Sequence, residues 1–115
     1  GDKVHLFLKL DENKHIKDIS FEGEGCAISM ASASIMTDLM KGKTEDEVKE
    51  IATKFLDMIK EKDDIKTNLV NDDEKTKLMS LGGVKNYPMR VKCATLSWHA
   101  LISALDDFQK EVSTE

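Results

Sequence analysis

Lys3-Val4-His5-Leu6-Phe7-Leu8-Lys9-Leu10, followed by the polar run Asp11-Glu12-Asn13-Lys14, decides the fold class. Val4, Leu6, Leu8 and Leu10 occupy every second position, the period of a half-buried strand. The polar run has the composition of a turn. Residues 15–22 predict a second strand, with Ile19 and Phe21 on one face. Ile16 breaks the alternation, which points to a bulge or a twist there. Two short strands across a polar turn make an antiparallel hairpin. A hairpin alone is marginal in water, so a third strand is expected upstream of residue 1.

Beyond the hairpin the period changes. After Gly23-Glu24-Gly25-Cys26, residues 27–40 predict a helix with Ile28, Ala31, Ile35 and Leu39 on one face, ended by Gly42. Thr44 and Glu47 form a capping box ahead of Val48, Ile51, Ala52, Phe55, Met58 and Ile59 at helical spacing. That second helix is expected to run to about residue 61. Residues 62–72 read as a polar loop, and a short helix over about 73–81 precedes Gly82-Gly83. Pro88 opens the last element, where Ala94, Trp98, Leu101, Leu105 and Phe108 stripe one side of a helix to about residue 110. Trp98 and the methionines are expected in the core. Strands first and helices after is the α+β order, here an antiparallel sheet packed against C-terminal helices in a single domain over residues 1–115.

At 115 residues the chain is long enough for one core without staples. Hydrophobic residues make up 40% and charged residues 34%, an ordinary globular balance. The net charge is −5, and the basic residues interleave with acids, as in Lys60-Glu61-Lys62-Asp63-Asp64. That argues against a nucleic-acid or anionic-membrane surface. No apolar run is long enough to span a bilayer, and the first residues lack a signal-peptide pattern. The expected compartment is the cytoplasm. Because the sequence does not open on Met, further residues are expected upstream. Two cysteines are too few for a secreted disulfide framework. Both are read as reduced thiols, with one disulfide as the alternative.

Cys26 sits where two glycines let a strand turn into a helix, ahead of the small residues Ala27 to Ser34. A thiol at a helix N-terminus is eased toward thiolate, the form that binds metals and attacks sulfur. Taken alone, Cys26 fits this reading or that of an inert buried thiol. The small residues let another element approach closely. Cys93 also lies near a helix start, beside Arg90 and Lys92, whose charge favours thiolate. Asp2, ahead of the first strand, adds an oxygen ligand. Two thiolates and a carboxylate suit zinc, which takes four tetrahedral ligands. Their long-range spacing carries little weight by itself. His5, His15 and His99 are each distant from the cysteines in sequence, and packing or surface roles are expected for them. No nucleophile elbow, phosphate loop or dinucleotide fingerprint is present.

Three separated segments closely resemble one family in order: Gly1-Asp2; Phe21-Glu22-Gly23-Glu24-Gly25-Cys26-Ala27-Ile28-Ser29-Met30-Ala31-Ser32-Ala33-Ser34; and Arg90-Val91-Lys92-Cys93-Ala94-Thr95-Leu96-Ser97-Trp98. The family is the SufU branch of the IscU/NifU-like iron–sulfur cluster assembly proteins, and the resemblance covers nearly the whole chain. It implies a three-stranded antiparallel sheet covered by helices. It also implies a metal site at Asp2, Cys26 and Cys93, with Arg90 steering a sulfur donor or partner. Lys92 stands where IscU scaffolds have His, and the segment before Gly83 looks like the longer SufU type. The family's remaining ligand is a Cys immediately before the position of Gly1. The resemblance therefore implies an upstream Cys, a helix and a first strand.

The resemblance further implies a function. SufU-type proteins bind zinc, accept persulfide sulfur from a PLP-dependent cysteine desulfurase, and pass it toward downstream Suf assembly proteins. On that reading Cys93, Cys26 and Arg90 carry the chemistry. One alternative is a scaffold on which an iron–sulfur cluster is built on the same thiolates and handed on. Another is a small domain whose metal is purely structural.

Overall fold

The computed structural model describes residues 3–61 and 64–114, with side chains as far as Asp106. The described elements are β1 (Lys3–Leu10), β2 (Ile16–Glu24), α1 (Ala27–Met40), α2 (Glu45–Glu61), α3 (Asp72–Leu81), a short 3-10 turn (Gly82–Val84) and α4 (Pro88–Thr114). The architecture is α+β, as the order of patterns predicts. Asp2, with its expected ligand role, lies outside the described residues, and so does the Phe108 side chain expected on the α4 stripe.

β1 and β2 pair antiparallel, with Leu6 opposite Phe21 and Leu8 opposite Ile19 on the face turned to the helices. On the other face Lys3 meets Glu24, His5 meets Glu22 and Lys9 meets Asp18. The opposite charges of the Lys3–Glu24 and Lys9–Asp18 pairs, placed directly across the strands, favour this register. The turn is held by Asp11, whose carboxylate accepts hydrogen bonds from the Asn13 and His15 backbone amides, both at 2.9 Å. The break at Ile16 is a register slip: Lys9 pairs with Asp18, but Leu10 pairs with Ile16. The slip turns Ile16 inward, where it is 1% exposed. Its backbone then pairs on the other side, accepting from Gly42 and donating to Lys43. Gly23 follows from close approach, because a Cβ there would collide with the Lys3 carbonyl. Among the described residues the sheet has two strands.

α1 ends at Gly42, whose φ of 87° is the left-handed conformation glycine adopts without strain. α2 opens on the expected box. The Thr44 amide donates to the Glu47 carboxylate at 2.9 Å, and the Glu47 amide donates to the Thr44 hydroxyl at 3.2 Å. α3 opens on a second box, Asn71 with Glu74. The core lies between the helices and the inner face of the hairpin. At its centre Phe55 of α2 stacks on Trp98 of α4, ring centroids 4.1 Å apart. Ala94, Leu101 and Leu105 continue the buried α4 stripe.

The α1 face differs from the expected one. Ala31 is exposed, and Ile28 and Ile35 are half-buried. The buried positions are Ser29, Ser32, Ala33, Met36, Leu39 and Met40. The reason is the neighbour. α1 packs closely on α4, and its serines are buried because they hydrogen-bond the α4 backbone. A hydrophobic period cannot register a face of that kind.

Candidate functional site

β2 delivers the chain through Gly25 to Cys26, which occupies the N-cap of α1 with extended backbone, φ −70° and ψ 165°. The first turn of α1 holds no acidic side chain to answer its positive end. The Cys26 sulfur closes no formed cap hydrogen bond on the helix. It nevertheless sits in the field of the first-turn amides. The Ser29 backbone N–H, followed by the Cys93 side chain and the Ser29 hydroxyl, draws the Cys26 thiol below its ordinary pKa, against a smaller opposing cost of burial.

Cys93 comes from the second turn of α4. That helix begins with Pro88 at its first position, where a missing N–H costs nothing, and the Tyr87 carbonyl accepts from Arg90 and Val91. The packing of α1 on α4 brings the two cysteines together. Their side chains hydrogen-bond, and neither is in a disulfide; Cys26 is exposed and Cys93 half-buried. Ser29, 1% exposed, lies between them. Its hydroxyl is 3.7 Å from the Cys26 sulfur and donates to the Cys93 carbonyl at 3.2 Å. One turn on, Ser32 donates to the Ala94 carbonyl and accepts from the Trp98 indole N–H at 2.9 Å.

The expected residues thus divide. Cys26 and Cys93 meet. The Arg90 guanidinium lies over the Tyr87 ring, 5.7 Å from its centroid, on the exposed turn that leads to Cys93. Tyr87 and Met89 of that turn are also exposed. His5 and His99 are exposed, and His15 sits 3.7 Å from Asp11. Among the described residues no third His, Cys, Asp or Glu joins the two thiols. The sequence reading treats Ser29 only as a small spacer. The signal that finds it is its place three residues after the N-cap, where a capping partner sits.

Fold and site together define a class: an α+β domain that presents two reduced thiols, each carried near the start of a different helix, at its surface. The profile of the NifU-like N terminal domain matches residues 1–115, and the chain belongs to that family. It is 45% identical to the zinc-dependent sulfurtransferase SufU of Bacillus subtilis (strain 168), over 88% of this chain and 65% of that protein. It is 40% identical to the iron–sulfur cluster assembly scaffold protein IscU of Streptococcus pyogenes serotype M1, over 91% of this chain and 62% of that protein. The chain therefore spans less than two thirds of the length of these two relatives. Among solved structures, the fold matches a SUF-system protein, FiSufU of Fervidobacterium islandicum AW-1, with TM-score 0.79 and 38% identity, covering 91% of this chain and 72% of that one. A NifU-like N-terminal protein of Brucella abortus shares the fold with TM-score 0.81 at 22% identity, covering 96% of this chain and 72% of that one.

Proposed function

We propose that this chain serves iron–sulfur cluster assembly as a SufU-type sulfur acceptor, working in the cytoplasm with a PLP-dependent cysteine desulfurase. The observation that carries the reading is the meeting of Cys26 and Cys93 at the surface, with the Cys26 sulfur eased toward thiolate. The identity to the zinc-dependent B. subtilis relative supports it. In the transfer step a thiolate of this protein attacks the outer sulfur of the donor's persulfide. A new S–S bond forms, the donor's S–S bond breaks, and the donor cysteine leaves as a thiolate. An exposed thiol and the open Tyr87–Arg90 turn suit such a direct exchange between two proteins. Arg90, exposed on that turn, would attract the anionic persulfide or an acidic partner surface. The product would pass to downstream Suf assembly proteins.

Zinc fits the donor set. Cys26 and Cys93 would supply two sulfurs, one at a helix N-terminus and one on a neighbouring helix, and the family resemblance adds Asp2 as an oxygen ligand. When bound, zinc keeps both sulfurs deprotonated and orders them. Elemental analysis is expected to find one zinc per full-length chain.

The test is desulfurase turnover. The full-length protein is expected to raise the turnover of its desulfurase, and Cys93→Ser, still folded by circular dichroism, is expected to abolish the rise. No stimulation by the wild-type protein ends this reading. A second reading, a cluster scaffold, is favoured by the identity to the S. pyogenes IscU. Lys92, exposed and standing where IscU scaffolds have His, weighs against it. A transferable cluster after anaerobic reconstitution would move the assignment there.

A further inference from the structure

We propose that Tyr87 is a positioning residue whose ring holds the Arg90 guanidinium at the approach to the thiols, ready for an anionic group of the sulfur donor. What the guanidinium meets there rests on the functional reading above.

Composition singles out the pair. Of 17 Lys and Arg side chains, Arg90 is the one arginine, and Tyr87 is the chain's one tyrosine. The two meet: the guanidinium lies 5.7 Å from the ring centroid, within the reach of a cation–π contact. A guanidinium is planar and weakly hydrated, so it stacks on an aromatic face in a way an ammonium does not. The helix start favours the contact. Tyr87 stands just ahead of Pro88, and Arg90 is the third residue of α4. Long helical side chains lean toward the helix N-terminus, which carries Arg90 back over Tyr87. Tyr87 itself is fixed through its backbone. Its N–H donates to the Val84 carbonyl at 2.8 Å, and its carbonyl accepts from the Arg90 and Val91 amides at 2.9 and 3.0 Å. One turn therefore sets the ring and starts the helix that carries Cys93.

Helix stability does not call for an arginine here. α2 and α3 each open on three acids, and α4 opens on none. A cation in the first turn opposes the helix dipole. Among the described residues no carboxylate pairs with Arg90 to offset this. The contact is at the surface, with Tyr87 59% exposed, and stacking uses the face of the guanidinium. Its N–H donors stay available for an incoming anion. Arg90 and Cys93, three residues apart on one helix, are neighbours on its surface. An unrestrained arginine loses rotamer entropy when it engages a partner, and the ring removes part of that loss in advance.

The test has two arms on full-length protein. The first needs no desulfurase. In proton NMR the Arg90 δ-methylene signals, identified by their loss in Arg90→Lys, are expected upfield of ordinary arginine values because they lie over the ring. Tyr87→Leu is expected to abolish that shift and Tyr87→Phe to keep it. Unshifted signals in the wild type would overturn the proposal. The second arm is desulfurase turnover against concentration of this protein. Tyr87→Leu is expected to raise the half-saturating concentration about twofold to fivefold, the worth of an exposed cation–π contact, with maximal turnover unchanged. Tyr87→Phe is expected to match the wild type, and a loss as large as that of Tyr87→Leu would overturn the role of the ring face. In an Arg90→Met background Tyr87→Leu is expected to change nothing further. An undiminished effect there would mean that Tyr87 touches the partner by itself, which also overturns the proposal. Should Tyr87→Leu fail to fold, Tyr87→Trp decides. Its stronger ring face is expected to keep or lower the half-saturating concentration, and a rise would sink the idea. If the wild type leaves the desulfurase unstimulated, the functional reading fails, and the NMR arm alone decides whether Tyr87 holds Arg90.

Discussion

The starts of α2 and α1 use the same two positions, the N-cap and the third helical residue, to different ends. In α2 the pair is Thr44 and Glu47, each bonding the other's backbone, so the helix start closes on itself. Three acids in its first turn answer the helix dipole. In α1 the pair is Cys26 and Ser29. No cap bond is formed, no acid is present, and the Ser29 hydroxyl reaches across to α4. One terminus is built to keep a helix wound, while the other gives up that security and keeps a thiol in a positive field. The same division continues inward. α2 meets α4 through the Phe55–Trp98 stack, and α1 meets α4 through serine hydroxyls on carbonyls.

If α2 is the stabilising region, its core contact carries the largest energy. Phe55→Ala, at a fully buried ring, is expected to cost about 3 to 5 kcal/mol in chemical denaturation. A loss no larger than that of a cap substitution would break the comparison. The next effect opposes the two termini directly. Thr44→Ala is expected to destabilise by about 1 kcal/mol. Cys26→Asp is expected to raise the melting temperature, because a carboxylate caps an unclosed terminus, while ending desulfurase stimulation. A Cys26→Asp variant that melts lower would mean that the α1 start already has its cap.

The smallest effect is one of pH. The Thr44 backbone N–H, followed by the Thr44 hydroxyl, holds the Glu47 carboxyl below its ordinary pKa of 4.5. The folded form therefore favours the carboxylate. Its stabilising contribution is complete above the unfolded value and is lost as pH falls through the lower, folded one. Glu47→Gln is expected to flatten the loss of stability that the wild type shows on acidification below about pH 4.5, the ordinary carboxylate range. An unchanged acid limb would place the acid sensitivity elsewhere, with Asp11, whose carboxyl is lowered chiefly by the His15 backbone amide, the first group to examine.

The same contrast explains how far the sequence could be read. The hairpin was legible because alternation and a polar turn are local signals, and the slip at Ile16 showed itself as a break in the period. α2 was legible down to its cap for the same reason. The face of α1 was not, because Ser29 and Ser32 count as polar in any periodicity, and their burial depends on α4 carbonyls far along the chain. The meeting of Cys26 with Cys93 was beyond local signals altogether, since only the packing of two helices creates it. It entered through the family resemblance. Asp2, the third expected ligand, lies outside the described residues.

The chain holds a single tryptophan, and its indole N–H ends the hydrogen-bonded line that runs through Ser32 to the Ala94 carbonyl. Trp98 is thereby a built-in optical gauge of the α1–α4 seam. Its dry setting against Phe55 calls for blue-shifted emission, and any event that parts the two helices would admit solvent to the ring and move that emission to the red. Partner docking at the thiols could then be followed in real time with no label attached.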